Sequence, residues 1–71
     1  MRFSVGDVIT SDNNGESEVI GFIEEGKLTR YLCRHIKPYD FKHAYGVIHY
    51  DVGMEWSQFT ETVDRYYRLV K

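Results

Sequence analysis

Cysteine and proline are nearly missing from this 71-residue chain, with one of each, Cys33 and Pro38. A lone cysteine excludes an internal disulfide framework. With so little proline and 42% hydrophobic residues, the composition is that of a folded chain and not of a disordered segment. No apolar run approaches the roughly 20 residues that a membrane-crossing helix needs. The opening MRFSVGDVITSD has neither the apolar stretch nor the cleavage pattern of a secretory signal. A cytoplasmic location without membrane attachment is therefore expected. The net charge of -2 argues against wholesale, non-specific affinity for nucleic acid.

What the chain does have is aromatic mass. Six Tyr, four Phe and one Trp must do much of the packing, since each buried ring removes roughly 150–250 Å² from water. A chain of this length makes one domain, residues 1–71, and buries only about 60% of the surface its unfolded form exposes. A large internal active-site cavity does not fit that scale. A chain so small and aromatic can also hide surplus apolar surface against a copy of itself, so homo-oligomers enter the expected partners.

Charge is unevenly placed along the sequence. Residues 1–26 carry Arg2 against Asp7, Asp12, Glu16, Glu18, Glu24 and Glu25, a balance of -5. Residues 27–45 carry Lys27, Arg30, Arg34, Lys37 and Lys42 against Asp40, a balance of +4. Folding can preserve this dipole or interleave its halves.

Val8 to Thr10, the turn-forming Ser11 to Gly15 and the apolar Ser17 to Ile23 read as a hairpin. Glu25-Gly26 supplies the next turn. Residues 27–36 fit two patterns: Leu28, Tyr31, Leu32, His35 and Ile36 recur at helical spacing, while Thr29, Tyr31, Cys33 and His35 would line one face of a strand. A tight turn after a β-rich run, with no capping side chain before Lys27, favours the strand. Lys37 to Ala44 reads as a loop anchored by Pro38, and Tyr45 to Tyr50 as a strand. Trp56, Phe59, Val63, Tyr66 and Val70 again have helical spacing, with Ser57 as a candidate cap. The reading adopted is a short helical turn at about 57–63 and a closing strand from Arg65 to Val70. The core is expected to contain Val8, Val19, Ile20, Phe22, Tyr31, Val47, Trp56, Phe59, Leu69 and Val70.

Phe3-Ser-Val-Gly-Asp-Val-Ile9 resembles the F-x-V-G-D-x-V opening of SH3-like small barrels of the KOW and Tudor type. The strand Glu18 to Glu24, the Gly26 turn, a strand through Tyr31 and the terminal Tyr67-Arg-Leu-Val70 are similar in order. The whole chain also resembles short open reading frames of tailed phages that begin this way and end in Y-R-L-V. The resemblance implies a small barrel used for binding nucleic acid or a protein segment. Two departures stand out: the opening strand is acidic where nucleic-acid binders tend to be basic, and an aromatic cage cannot be placed on particular positions. The fold expected is thus mainly β, a five-stranded SH3-like barrel or a strongly bent antiparallel sheet. The alternative is α+β, with helices at about 27–36 and 56–70.

No catalytic or cofactor signature rises above background. Cys33 and His35, with His43 and His49 further on, could share a zinc ion, but one close pair is half of what structural sites use. A Cys33 nucleophile would need a base or cation nearby, and a core cysteine is the simpler reading. Glu24 and Glu25, or Glu61 and Asp64, read as solvated charges. The expectation is a non-enzyme without cofactor or metal.

One stretch stands out as a binding surface. Arg30, Arg34, Lys37, Tyr39, Phe41, Lys42 and His43 interleave cations with rings, the combination that holds single-stranded nucleic acid. Aromatics and arginine are equally the residues enriched at protein hot spots, and opposite charge along the chain suits a protein partner. A protein partner is favoured, such as a host factor inhibited or modulated by a phage protein. Single-stranded nucleic acid is the alternative.

Overall fold

A computed structural model describes residues 1–70. Val5-Gly6 turns the chain, with Gly6 at φ 96°. The Asp7 carboxylate accepts from the Ser4 N–H at 2.8 Å. Strand β1 (Val8–Ser11) follows and pairs antiparallel with β2 (Gly15–Glu25) across the Asp12 to Asn14 turn. The turn at Gly26, φ 60°, leads into β3 (Leu28–His35). Residues 27–36 are therefore built around a strand, and the turn signal outweighs the helical spacing.

The next stretch departs from expectation. Tyr39–His43 is a strand, β4, inside what reads as a loop, and it pairs with β5 (Gly46–Tyr50) as a separate two-stranded sheet. Tyr39, Phe41 and His43 alternate with Asp40 and Lys42, the period-2 signature of a strand, which Pro38 obscures. Strand β6 (Glu55–Phe59) then returns beside β3, helix α1 covers Thr60–Tyr66, and β7 (Arg68–Leu69) pairs with β1. The helix starts later than expected. Its N-cap is Phe59, without a side-chain cap bond, and Ser57 lies in β6.

The main sheet has the order β6-β3-β2-β1-β7. Its two edges are not paired to each other, so the sheet is open and antiparallel and does not close into a barrel. Among the described residues no helix is long and apolar enough to cross a membrane.

One face of this sheet carries the core: Phe3, Ile9, Val19, Tyr31, Cys33 and Val63 are buried, with Trp56 and Tyr67 packed against them. Val19 and Tyr31 are where expected. Val8 is only half-buried, because its neighbour Ile9 points inward, and in a strand a one-residue offset exchanges the faces. Between Val19 and Gly21 the β2–β3 register shifts at a bulge. The extra residue restores Phe22 to the side of Tyr31, with ring centroids 5.5 Å apart, and leaves Ile20 half-buried. Phe22 nevertheless stays exposed near the free end of the hairpin.

Leu69 and Val70, also expected inside, are exposed, because β7 is a two-residue edge with neighbours on one side only. Val47 is exposed on the β4–β5 hairpin. Phe59 is half-buried on the opposite face of the sheet, under the Arg30 guanidinium at 4.1 Å from its centroid.

Helix α1 is tied down through Val63 in the core and through Asp64. The Tyr31 hydroxyl donates to Asp64 Oδ1 at 2.7 Å and accepts from the Phe3 N–H at 3.1 Å. The Arg2 N–H reaches the same carboxylate oxygen at 3.1 Å.

Candidate functional site

The seven residues singled out from sequence do not share one face. Arg30 and Arg34 alternate with the buried Tyr31, Cys33 and His35, so they lie on the face of β3 away from the core. Lys37 lies in the connection to β4. Tyr39, Phe41 and His43 share one face of the hairpin, and Lys42 lies on the other.

The cations also have acidic company. Arg30 Nε donates to Glu25, Lys37 Nζ lies 3.5 Å from Glu16 Oε2, and Arg34 stands in register between Glu18 on β2 and Glu55 on β6. The acidic first third and the basic middle are thus interleaved strand by strand. Cross-strand neighbours of opposite sign offset one another, and the sequence dipole is reduced where β2 and β3 pair.

The rings of the hairpin divide by position. At its base the Tyr39 hydroxyl donates to the Asp12 carbonyl at 2.7 Å. Its ring lies so close to Gly15 that a Cβ there would meet it at 2.7–2.9 Å. Tyr39 is a strut. Towards the tip, Phe41 and His43 stack at 5.8 Å, and His43 meets Tyr45 at 6.3 Å. Tyr45 is 95% exposed. On the opposite face His49 lies between Asp40 and Asp51, with Nε2 2.5 Å from Asp51 Oδ1. Hydrogen bonds to these carboxylates, Asp40 foremost, hold its pKa above the ordinary histidine value.

The main concavity lies elsewhere. A groove of about 460 Å³ opens between the β1–β2 turn, the end of β5, the inner face of β6 and helix α1. Tyr50, Trp56, Tyr66 and Tyr67 give it aromatic walls, and Asn14 and Gln58 add amides. Among the described residues its only charged lining residue is Asp12, which also pairs with Arg68 at 3.5 Å.

Each wall has its own support. Trp56 Nε1 donates to the buried Ser17 Oγ at 2.9 Å, and the Tyr67 ring stacks on Trp56 with centroids 5.3 Å apart. The Tyr67 hydroxyl accepts from Asn14 Nδ2 at 2.8 Å. Burial pushes the Tyr67 phenol pKa up, so it stays protonated. Tyr66, at the end of α1, remains 65% exposed.

Sequence reading gave Trp56 to the core and counted Tyr66 only as one member of a helical repeat. The usable signal was the pair itself. Successive residues at a helix end point in different directions, so one ring packs and the other is offered to solvent.

Cys33 and His35 face the core. Burial pushes the Cys33 thiol up to about 12, well above the range of an activated nucleophile. His43 and His49 lie on opposite faces of the hairpin. Among the described residues no group of three or more His, Cys, Asp or Glu side chains is placed to hold a metal ion.

No protein-family model, curated protein or solved structure matches the chain.

Proposed function

We propose that the chain is a non-enzymatic binding module for a protein partner, and that the aromatic groove receives a side chain of that partner. One observation carries this reading: four rings line the groove, with no basic residue among its described lining. Aromatic walls with amides and hydroxyls suit an aliphatic or cationic side chain from a protein segment, whereas phosphates would find no cation among the described lining residues, and Arg68 beside them is already paired with Asp12. The acidic neighbours of Arg30, Arg34 and Lys37 weigh in the same direction. The resemblance to SH3-like barrels and to short tailed-phage proteins supports a module that inhibits or modulates a host factor.

Capture from lysate with the wild type and Tyr66→Ala, each with and without nuclease, tests the reading. Tyr66 is exposed, so its truncation leaves the fold intact. A protein retained after nuclease by the wild type and lost with Tyr66→Ala is the expected result. Capture abolished by nuclease, or unchanged by the substitution, overturns it.

The half-buried Phe41 with the exposed His43 and Tyr45 supports a second reading, as stacking platforms for single-stranded nucleic acid. Oligonucleotide titration at two salt concentrations addresses it directly. With Lys42 on the other face, the groove reading expects no binding near physiological salt.

A further inference from the structure

The β4–β5 hairpin stands outside the main sheet as its own two-stranded sheet, so the outer edge of β4 has no partner strand among the described residues. Its ladder closes on the His43–Gly46 pair over two residues, Ala44 and Tyr45. In an antiparallel ladder the pairs that exchange backbone bonds alternate with those that do not. Counting from the turn, Tyr39, Phe41 and His43 direct their N–H and C=O groups to β5, and Asp40 and Lys42 direct theirs to the free edge. Such an edge is a template for another strand unless charge guards it.

Here the charges invite one strand in particular. Laid antiparallel on its own copy about a two-fold axis at Phe41, β4 sets Asp40 against Lys42 of the second copy, and Lys42 against Asp40 of the second copy. The register has the correct parity. Asp40 and Lys42 are the residues with outward backbone groups, so each pair forms two backbone bonds and adds an ion pair. On the other face Phe41 meets Phe41 of the second copy, and Tyr39 meets its His43. A two-fold interface demands this self-complementarity.

The other edges lack it. The same operation on β5 about Ile48 sets Val47 against His49 and Gly46 against Tyr50. On β6 about Ser57 it sets Glu55 against Phe59, and β7 has only two residues.

We infer that the chain forms a two-fold homodimer through β4, which makes one four-stranded sheet of the two hairpins. This surface is independent of the aromatic groove and of its occupant.

Sedimentation velocity over a concentration series tests the inference. The wild type should pass from the 8.4 kDa monomer to twice that mass. Asp40→Lys and Lys42→Asp should each remain monomeric, because each sets like charges together. An equimolar mixture of the two should regain the doubled mass, since each then offers what the other lacks. Lys42→Asp removes no hydrogen bond or ion pair among the described residues. As a measurement free of substitutions, the amide protons of Asp40 and Lys42 should exchange more slowly as wild-type concentration rises. A wild type that stays monomeric, a dimer indifferent to both substitutions, or exchange independent of concentration would overturn the inference.

Discussion

The His35 imidazole lies nearly flat against the Tyr50 ring, with centroids 4.8 Å apart and planes 13° from parallel, and neither of its nitrogens has a hydrogen-bond partner among the described residues. His35 is 1% exposed. It joins the sheet core to the base of the hairpin, and its backbone holds the next turn as well: its N–H donates to the Met54 carbonyl and its carbonyl accepts from the Gly53 N–H, both at 2.8 Å. Burial lowers its pKa below 6.5.

The pH dependence of stability follows from that direction. A histidine whose folded pKa is depressed takes up its proton more readily in the unfolded chain. Its contribution is complete above about pH 6.5 and falls as pH drops towards the folded value, by at most about 1.4 kcal/mol per pH unit. His49 has the opposite sign, since its raised pKa contributes stability that is lost as pH rises through the folded value, but its exposure keeps that part small. The urea midpoint of the wild type should fall on acidification below about pH 6.5, and His35→Phe should flatten the fall. Equal slopes for the two proteins would show that His35 does not control it.

Tyr31→Phe tests the anchor of helix α1. The substitution leaves the buried Phe3 N–H without its acceptor, while Asp64 Oδ1 keeps the Arg2 N–H. A loss of about 1–3 kcal/mol is expected for an unsatisfied buried group. Denaturant titrations of Tyr31→Phe, Asp64→Ala and the double variant check it. The double variant should lose at least about 0.5 kcal/mol less than the sum of the singles if the two side chains act as one unit.

Two glycines with positive φ make a matched comparison. Gly15 has φ 68° and Gly26 φ 60°, but a Cβ at Gly15 strikes the Tyr39 ring while a Cβ at Gly26 enters open space. Gly26→Ala should cost only the backbone penalty, about 1–2 kcal/mol. Gly15→Ala should cost clearly more and free the base of the hairpin. Melting temperatures rank the pair, and the Tyr39 ring resonances report the displacement.

The Cys33 thiol should be inert in the folded protein. It is fully buried, with its pKa pushed up to about 12, so little thiolate forms at neutral pH. A disulfide reagent should label it only as fast as the chain opens, and fully in denaturant. Rapid labelling under native conditions would place Cys33 in an accessible site.

The legibility of the fold was uneven, for identifiable reasons. Turn chemistry at Asp12 to Gly15 and at Gly26 made the β1–β2–β3 meander readable, because glycines with positive φ and Asx residues act locally. Which of Val8 and Ile9 faces inward was not readable: both are apolar and β-branched, and only the β2 and β7 pairings decide. The bulge after Val19 was hidden in the same way. The groove was harder still. Tyr50, Trp56, Tyr66 and Tyr67 come from three elements that converge only in the folded chain, whereas Arg30 to His43 drew attention by being close in sequence.

The pairing of β2 with β3 has a kinetic consequence. With Glu16 near Lys37, Glu18 opposite Arg34 and Glu25 on Arg30, each charge is offset within a distance shorter than the Debye length of about 8 Å at physiological ionic strength. Along β2 and β3 an approaching partner therefore meets offset charges and not a dipole. Its encounters would go unsteered, at the roughly 10⁵–10⁶ M⁻¹s⁻¹ typical of neutral surfaces, and added salt would change them little. Discrimination among partners would then lie in how slowly the right one departs.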